Sequence, residues 1–115
     1  MKRTERAMQI WQILLGAAHN RQTVTYGQIA DHLGLGGAGV LSQTLDLIHH
    51  YCVAKELPSI TCLVVNQESG IPGSGYDPAV GEGSLHAIRE EVYRKNWYAL
   101  FPAQIADFEA IAVAN

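Results

Sequence analysis

The chain has 115 residues, 48% of them hydrophobic and 17% charged, which fits one globular domain large enough for its own core. No apolar run approaches the roughly 20 residues that span a bilayer, and Gln9 and Gln12 interrupt the N-terminal stretch a signal peptide needs, so no membrane partner and a cytoplasmic location are expected. The formal net charge of −3 argues against a strong sequence-independent nucleic-acid binder, but residues 1–55 carry five Lys/Arg against three Asp/Glu (+2), whereas residues 56–115 carry three against eight (−5).

The spacing predicts a first helix over residues 4–19. Ala7, Met8, Trp11, Leu14, Leu15 and Ala18 recur at three- and four-residue steps, Thr4 is the candidate N-cap, and Trp11 reads as a core anchor. A short β-like Thr23-Val24 leads to a second helix over 26–33. Thr25 and Gln28 have capping-box spacing, Ile29, Ala30 and Leu33 form the inner side, and Gly34, Gly36 and Gly37 stop the helix. A third helix is expected over about 38–55. Leu41, Leu45, Ile48 and Cys52 make its seam, and Ser42, Gln43, Asp46, His49 and His50 lie outside. Helix, turn and helix in this order often present the second helix to DNA. Of the exposed residues only Ser42 and Gln43 suit base or phosphate contacts, and Asp46 has the wrong sign for phosphate.

The β-branched run 60–66 predicts a strand, 67–70 a turn and 71–76 an extended return. Together these make a β-hairpin that would serve as a wing, followed by a glycine-containing loop over 77–83. Ser84 caps a helix running to about Lys95, with Leu85, Ile88, Val92 and Trp97 inward and opposite charges four apart at Glu90-Glu91 and Arg94-Lys95. The aromatic stretch 98–101 is expected to dock on the core. Pro102 is expected to open a last helix buried through Ile105, Phe108, Ala112 and Ile111. The expected fold is a mainly α member of the α/β class, a single winged helix-turn-helix domain with a small β-hairpin wing and a C-terminal helical extension over about 84–115.

The segment Val24-Thr25-Tyr26-Gly27-Gln28-Ile29-Ala30, the glycine-rich bend, the helix after it, Leu57-Pro58 and Leu63-Val64-Val65-Asn66 resemble the C-terminal domain of alkylguanine-DNA alkyltransferases and their non-enzymatic alkyltransferase-like relatives, over roughly residues 5–71. Those proteins open the helix-turn-helix with Thr/Ser-Tyr-Gly-x-(Ile/Leu)-Ala and carry Pro-Cys-His-Arg-Val-Val, or Pro-Trp-His-Arg-Val-Val-Asn, after the second helix. Aligned on Val64-Val65-Asn66, Thr61 stands at the reactive cysteine, Cys62 at its histidine and Leu63 at the following arginine. The arginine that the family inserts into the duplex falls near Gly39. A methyl-accepting cysteine must be a thiolate, and here nucleophile and activator are both absent from their positions, so the resemblance implies DNA binding without alkyl transfer. It points to Tyr26, Gly39, Ser42 and Gln43 as DNA-facing positions, with Arg21 and Lys55 as cations for the backbone and Lys2, Arg3 and Arg6 added if the N-terminus folds over.

Other chemistry has little support. His49 and His50 are adjacent and diverge on a helix, and His86 with Glu90 is a lone pair, so no metal site and no cofactor are expected. Gly73-Ser74-Gly75 lacks the lysine and the helix of a phosphate cradle. Cys52 and Cys62 read as reduced, buried thiols, although two cysteines can in principle pair. Tyr26 is either an aromatic packed at a helix start or a hydroxyl placed for a phosphate or an opened base. Two functions stay open. One is a non-enzymatic binder of double-stranded DNA, plain or lesion-containing. The other is an interaction module on the same scaffold, using the acidic half and the aromatics Trp97, Tyr98 and Phe101 for a protein partner or self-association.

Overall fold

The computed structural model describes residues 1–37, 39, 41–68, 70 and 84–114. Its elements are α1 (Arg3–His19), β1 (Val24–Thr25), α2 (Tyr26–His32), α3 (Leu41–Ala54), a 3₁₀ turn (Ile60–Leu63), β2 (Val64–Val65), α4 (Leu85–Arg94), a second 3₁₀ turn (Trp97–Ala99) and α5 (Ile105–Ala114). The protein is mainly helical. Its small sheet pairs β1 and β2 in parallel, Val24 opposite Val64 and Thr25 opposite Val65, with α2 and α3 as the crossover. Among the described residues no helix is long and apolar enough to cross a membrane.

The expected apolar faces mostly point inward, except that on α1 Ile10 is fully buried while Met8 and Leu15 are only half-buried at the edge of the core. Ala7, Ile10, Trp11, Leu14 and Ala18 of α1 pack against Leu41, Leu45, Ile48 and Cys52 of α3 and against Phe108 of α5. Trp11 is the hub. Its ring meets Tyr51 at 5.3 Å, Trp97 at 5.7 Å and Phe108 at 6.0 Å between centroids, each edge to face. The Trp97 indole N–H donates to the Val92 carbonyl at 2.8 Å, satisfying the polar group this ring carries into the core.

The helix ends follow local chemistry. Thr25 Oγ1 accepts from the Gln28 N–H at 3.0 Å and Gln28 Oε1 accepts from the Thr25 N–H at 2.9 Å, closing the expected box. At the other end of α2 the Leu35 N–H donates to Ala30 O and the Gly34 N–H to Asp31 O, with Gly34 at φ 70°. This is a Schellman stop, and the left-handed backbone there is where glycine costs least. The same bond pattern ends α1 at Arg21 (φ 54°) and α3 at Glu56 (φ 55°). Those two side chains sit in a region that costs non-glycine residues roughly 1–2 kcal/mol. Replacing exposed Glu56 with glycine is therefore expected to stabilise the fold by about 0.5–1 kcal/mol, after the extra unfolded-state freedom of glycine is subtracted. The urea midpoint of E56G reads this directly.

Several expectations are corrected. The strand over 60–66 shrinks to Val64–Val65, because residues 60–63 wind into a 3₁₀ turn in which the Cys62 N–H bonds back to Ser59 O at 3.0 Å. All of Ile60–Leu63 is buried against α1, α3 and α4, so packing on every side, and not a sheet, accounts for this apolar run. Thr23 lies just outside β1. The first helix begins at Arg3 with Lys2 as its cap, whose N–H bonds to Glu5 Oε1 at 2.9 Å, and Thr4 is buried within it. The last helix begins at Ile105. Asp107 Oδ2 accepts from the Gln104 N–H at 2.8 Å, so Pro102 stands before the helix and Ile105 is 39% exposed. Tyr98 and Phe101 do not dock on the core and are 60% and 86% exposed. The wing's return over 71–76, the loop over 77–83 and the expected start of the third helix at positions 38 and 40 lie outside the described residues.

Candidate nucleic-acid interface

The glycine-rich bend ends α2 and leaves the N-terminal end of α3 at the surface, with Ser42 and Gln43 exposed in its first turn. Backbone N–H groups at that end have no intrahelical acceptor. Two arginines come to this end from α1. Arg3 and Arg6 are three apart and share a helix face. Arg3 Nη1 lies 3.5 Å from Gln43 Oε1. Arg6 Nη1 donates to Gln9 Oε1 at 3.0 Å and to the carbonyl of Leu33 at 3.3 Å, fastening α1 to the C-terminal end of α2. Met1, Arg3, Arg6, Leu35, Leu41 and Gln43 border a surface cavity of about 330 Å³.

Tyr26 is the first residue of α2 and half-buried, against the edge of the core. Gly39 is exposed, and a Cβ there would meet none of the described atoms within 4 Å. Asp46 on α3 is exposed, and the His49 and His50 rings sit 5.8 Å apart further along the helix. Among the described residues no three His, Cys, Asp or Glu side chains are grouped so as to hold a metal ion.

Arg21 is placed elsewhere. Its Nη2 donates to both carboxylate oxygens of Glu90, at 2.8 and 2.9 Å, and its guanidinium carbon lies 5.0 Å from the centre of the Tyr93 ring. α1 has 17 residues, so at about 1.5 Å per residue some 25 Å separate Arg21 from Arg3. Lys55, at the far end of α3, also stands away from Gln43. The cations next to the candidate surface are thus Arg3 and Arg6, with Lys2 adjoining Arg3 in sequence at the cap of α1. The three- and four-residue register of α1 marks Arg3 and Arg6 as neighbours, but nothing local says that their face meets the start of α3.

The hydrogen bonds from Arg21, and secondarily the charge of Arg94 at 3.7 Å, hold the Glu90 carboxyl below its ordinary value of 4.5. A carboxyl lowered in the folded state contributes stability above its unfolded value and loses it as pH falls through the lower folded value. The E90Q variant is therefore expected to differ from wild type in urea midpoint near neutral pH and to converge with it in acid. Parallel titrations of the two proteins from about pH 7 to about pH 3 check this sign.

Cys52 and Cys62 are buried and not joined in a disulfide, and burial pushes the Cys52 thiol up to about 12. Thr61 is 7% exposed and Cys62 is fully buried in the 3₁₀ turn. No protein-family model, curated protein or solved structure matches this chain.

Proposed function

We propose that the protein is a non-enzymatic DNA-binding protein of the alkyltransferase-like kind, on a helix-turn-helix of the winged type. It would approach double-stranded DNA with the N-terminal end of α3. The observation that carries this reading is the convergence of Arg3 and Arg6 with Gln43 at that end, next to the C-terminal end of α2. In this role Lys2 and Arg3 neutralise phosphates, Gln43 and Ser42 reach base edges or phosphate oxygens, and Tyr26 stands by a nucleotide phosphate. Few cations are available, so affinity for ordinary duplex is expected on the order of 10⁻⁴ to 10⁻⁶ M, the range of non-specific contacts. Discrimination would come from a damaged or flipped base, which costs less to unstack.

The test is anisotropy titration of plain and lesion-containing duplexes with wild type, Tyr26→Phe and Gln43→Ala. Loss of the lesion preference in Tyr26→Phe supports the nucleotide contact. Absence of binding to both duplexes at low salt, from folded protein, overturns the reading. Intact mass after incubation with alkylated-guanine DNA is expected to show no added alkyl group. Nucleophilic transfer needs an accessible thiolate, whereas Cys52 is a neutral buried thiol and Cys62 is enclosed.

A second reading is an interaction module that self-associates or takes a protein partner. It draws on Phe101 and on Val113 of α5, which are 86% and 89% exposed. Sedimentation distinguishes a 12.5 kDa monomer from a dimer.

A further inference from the structure

A second concavity of about 570 Å³ opens on the other side of α1, between the C-terminal end of α3 and the connection that leads into α5. We propose that it binds a small aromatic carboxylate. Both tryptophans of the chain, Trp11 and Trp97, line it together with Tyr51, and Tyr98 and Phe101 stand at its mouth with their rings largely in water. A volume of this size, mainly apolar walls with five aromatic residues and few charged groups are the features of small-molecule sites.

The polar groups select the ligand's charge. Tyr51 lies in the last turn of α3, Lys55 directly follows the helix with its N–H bonded to Tyr51 O at 3.0 Å, and both line the groove. The Lys55 ammonium has no carboxylate within 4.0 Å among the described residues. Burial, and then the charge of Asp107, keeps the Tyr51 phenol protonated and so a donor. Asp107 is the acid on this wall, and one of its oxygens is taken by the Gln104 N–H that closes the start of α5. A carboxylate can therefore accept from Lys55 and Tyr51 while an aromatic body lies between the tryptophan edges and the rings of Tyr98 and Phe101.

Because both tryptophans line the groove, their emission reports its occupation. Hydrocinnamate, which does not absorb where tryptophan is excited, is titrated into the full chain, with its neutral amide as control. Expected is a saturable change in tryptophan emission with half-saturation at about 1 mM or tighter, at least about tenfold weaker for the amide and for Lys55→Gln. Phe101→Ala, at an exposed position, is expected to weaken binding with its urea midpoint unchanged. Equal binding of acid and amide, or no saturable change, overturns the proposal. So does concentration-dependent self-association that shields Tyr98 and Phe101 with no ligand effect, which would assign the groove to a second copy of the chain.

Discussion

Trp11→Ala is expected to lower the unfolding free energy by about 3–5 kcal/mol. The ring is 3% exposed and stands where α1, α3, α5 and the segment after α4 meet, so no single helix movement can refill the space it leaves. Three edge-to-face partners would lose their neighbour together: Tyr51, Trp97 and Phe108. Such pairs contribute about 0.5–1.5 kcal/mol each beyond the area they bury. Against a typical domain stability of about 5–15 kcal/mol, the loss is a large fraction of the whole. Trp11→Phe keeps a ring and is expected to cost about 1–2 kcal/mol. Urea unfolding followed by far-ultraviolet circular dichroism measures both. A loss below about 1 kcal/mol in the alanine variant would mean that the aromatic cluster does not hold the helices together.

Helices and caps were the legible part of this fold. The register of Ala7, Trp11, Leu14 and Ala18, the box of Thr25 with Gln28 and the cap at Ser84 are local signals, and the structure uses each of them. The run from Ile60 to Val65 is apolar but for Thr61 and carries no period, so its pattern does not distinguish a strand from a buried turn. Contacts from α1, α3 and α4 decide in favour of the turn. Pro102 marked the last helix too early because Gln104 and Asp107, three apart, close the true start. For the candidate surface, Ser42 and Gln43 follow from helix register. The bond of Arg21 to Glu90, 69 positions away, leaves no local trace, so sequence alone could not remove Arg21 from the basic set. The groove was hidden for a related reason. The pattern leaves Tyr98 and Phe101 either docked on the core or facing a partner, and only the packed structure shows them turned outward.

Arg3→Glu is expected to weaken binding to ordinary duplex by about tenfold or more and to flatten its salt dependence by about one unit. With Lys2 and Arg3 as the phosphate-neutralising cations, the slope of log K against log salt is expected near −2. Arg3 makes one long contact, 3.5 Å to Gln43, and lies on the surface, so charge reversal there leaves the fold intact. Arg6 is the poorer probe. Its guanidinium ties α1 to the Leu33 carbonyl, and removing it costs about 1.5–3 kcal/mol, the range for hydrogen bonds to charged groups. Arg21→Glu is the matched control, because that residue lies at the other end of α1 and faces Glu90. An equal effect from Arg21→Glu would move the binding surface away from α3.

The most direct measurement is an amide chemical-shift map of the chain on addition of duplex DNA at low salt. The account predicts the largest shifts at Arg3, Gly39, Ser42 and Gln43, with smaller ones at Tyr26. Shifts confined to Tyr98, Phe101 and α5, or no shifts at all from folded protein, would contradict it.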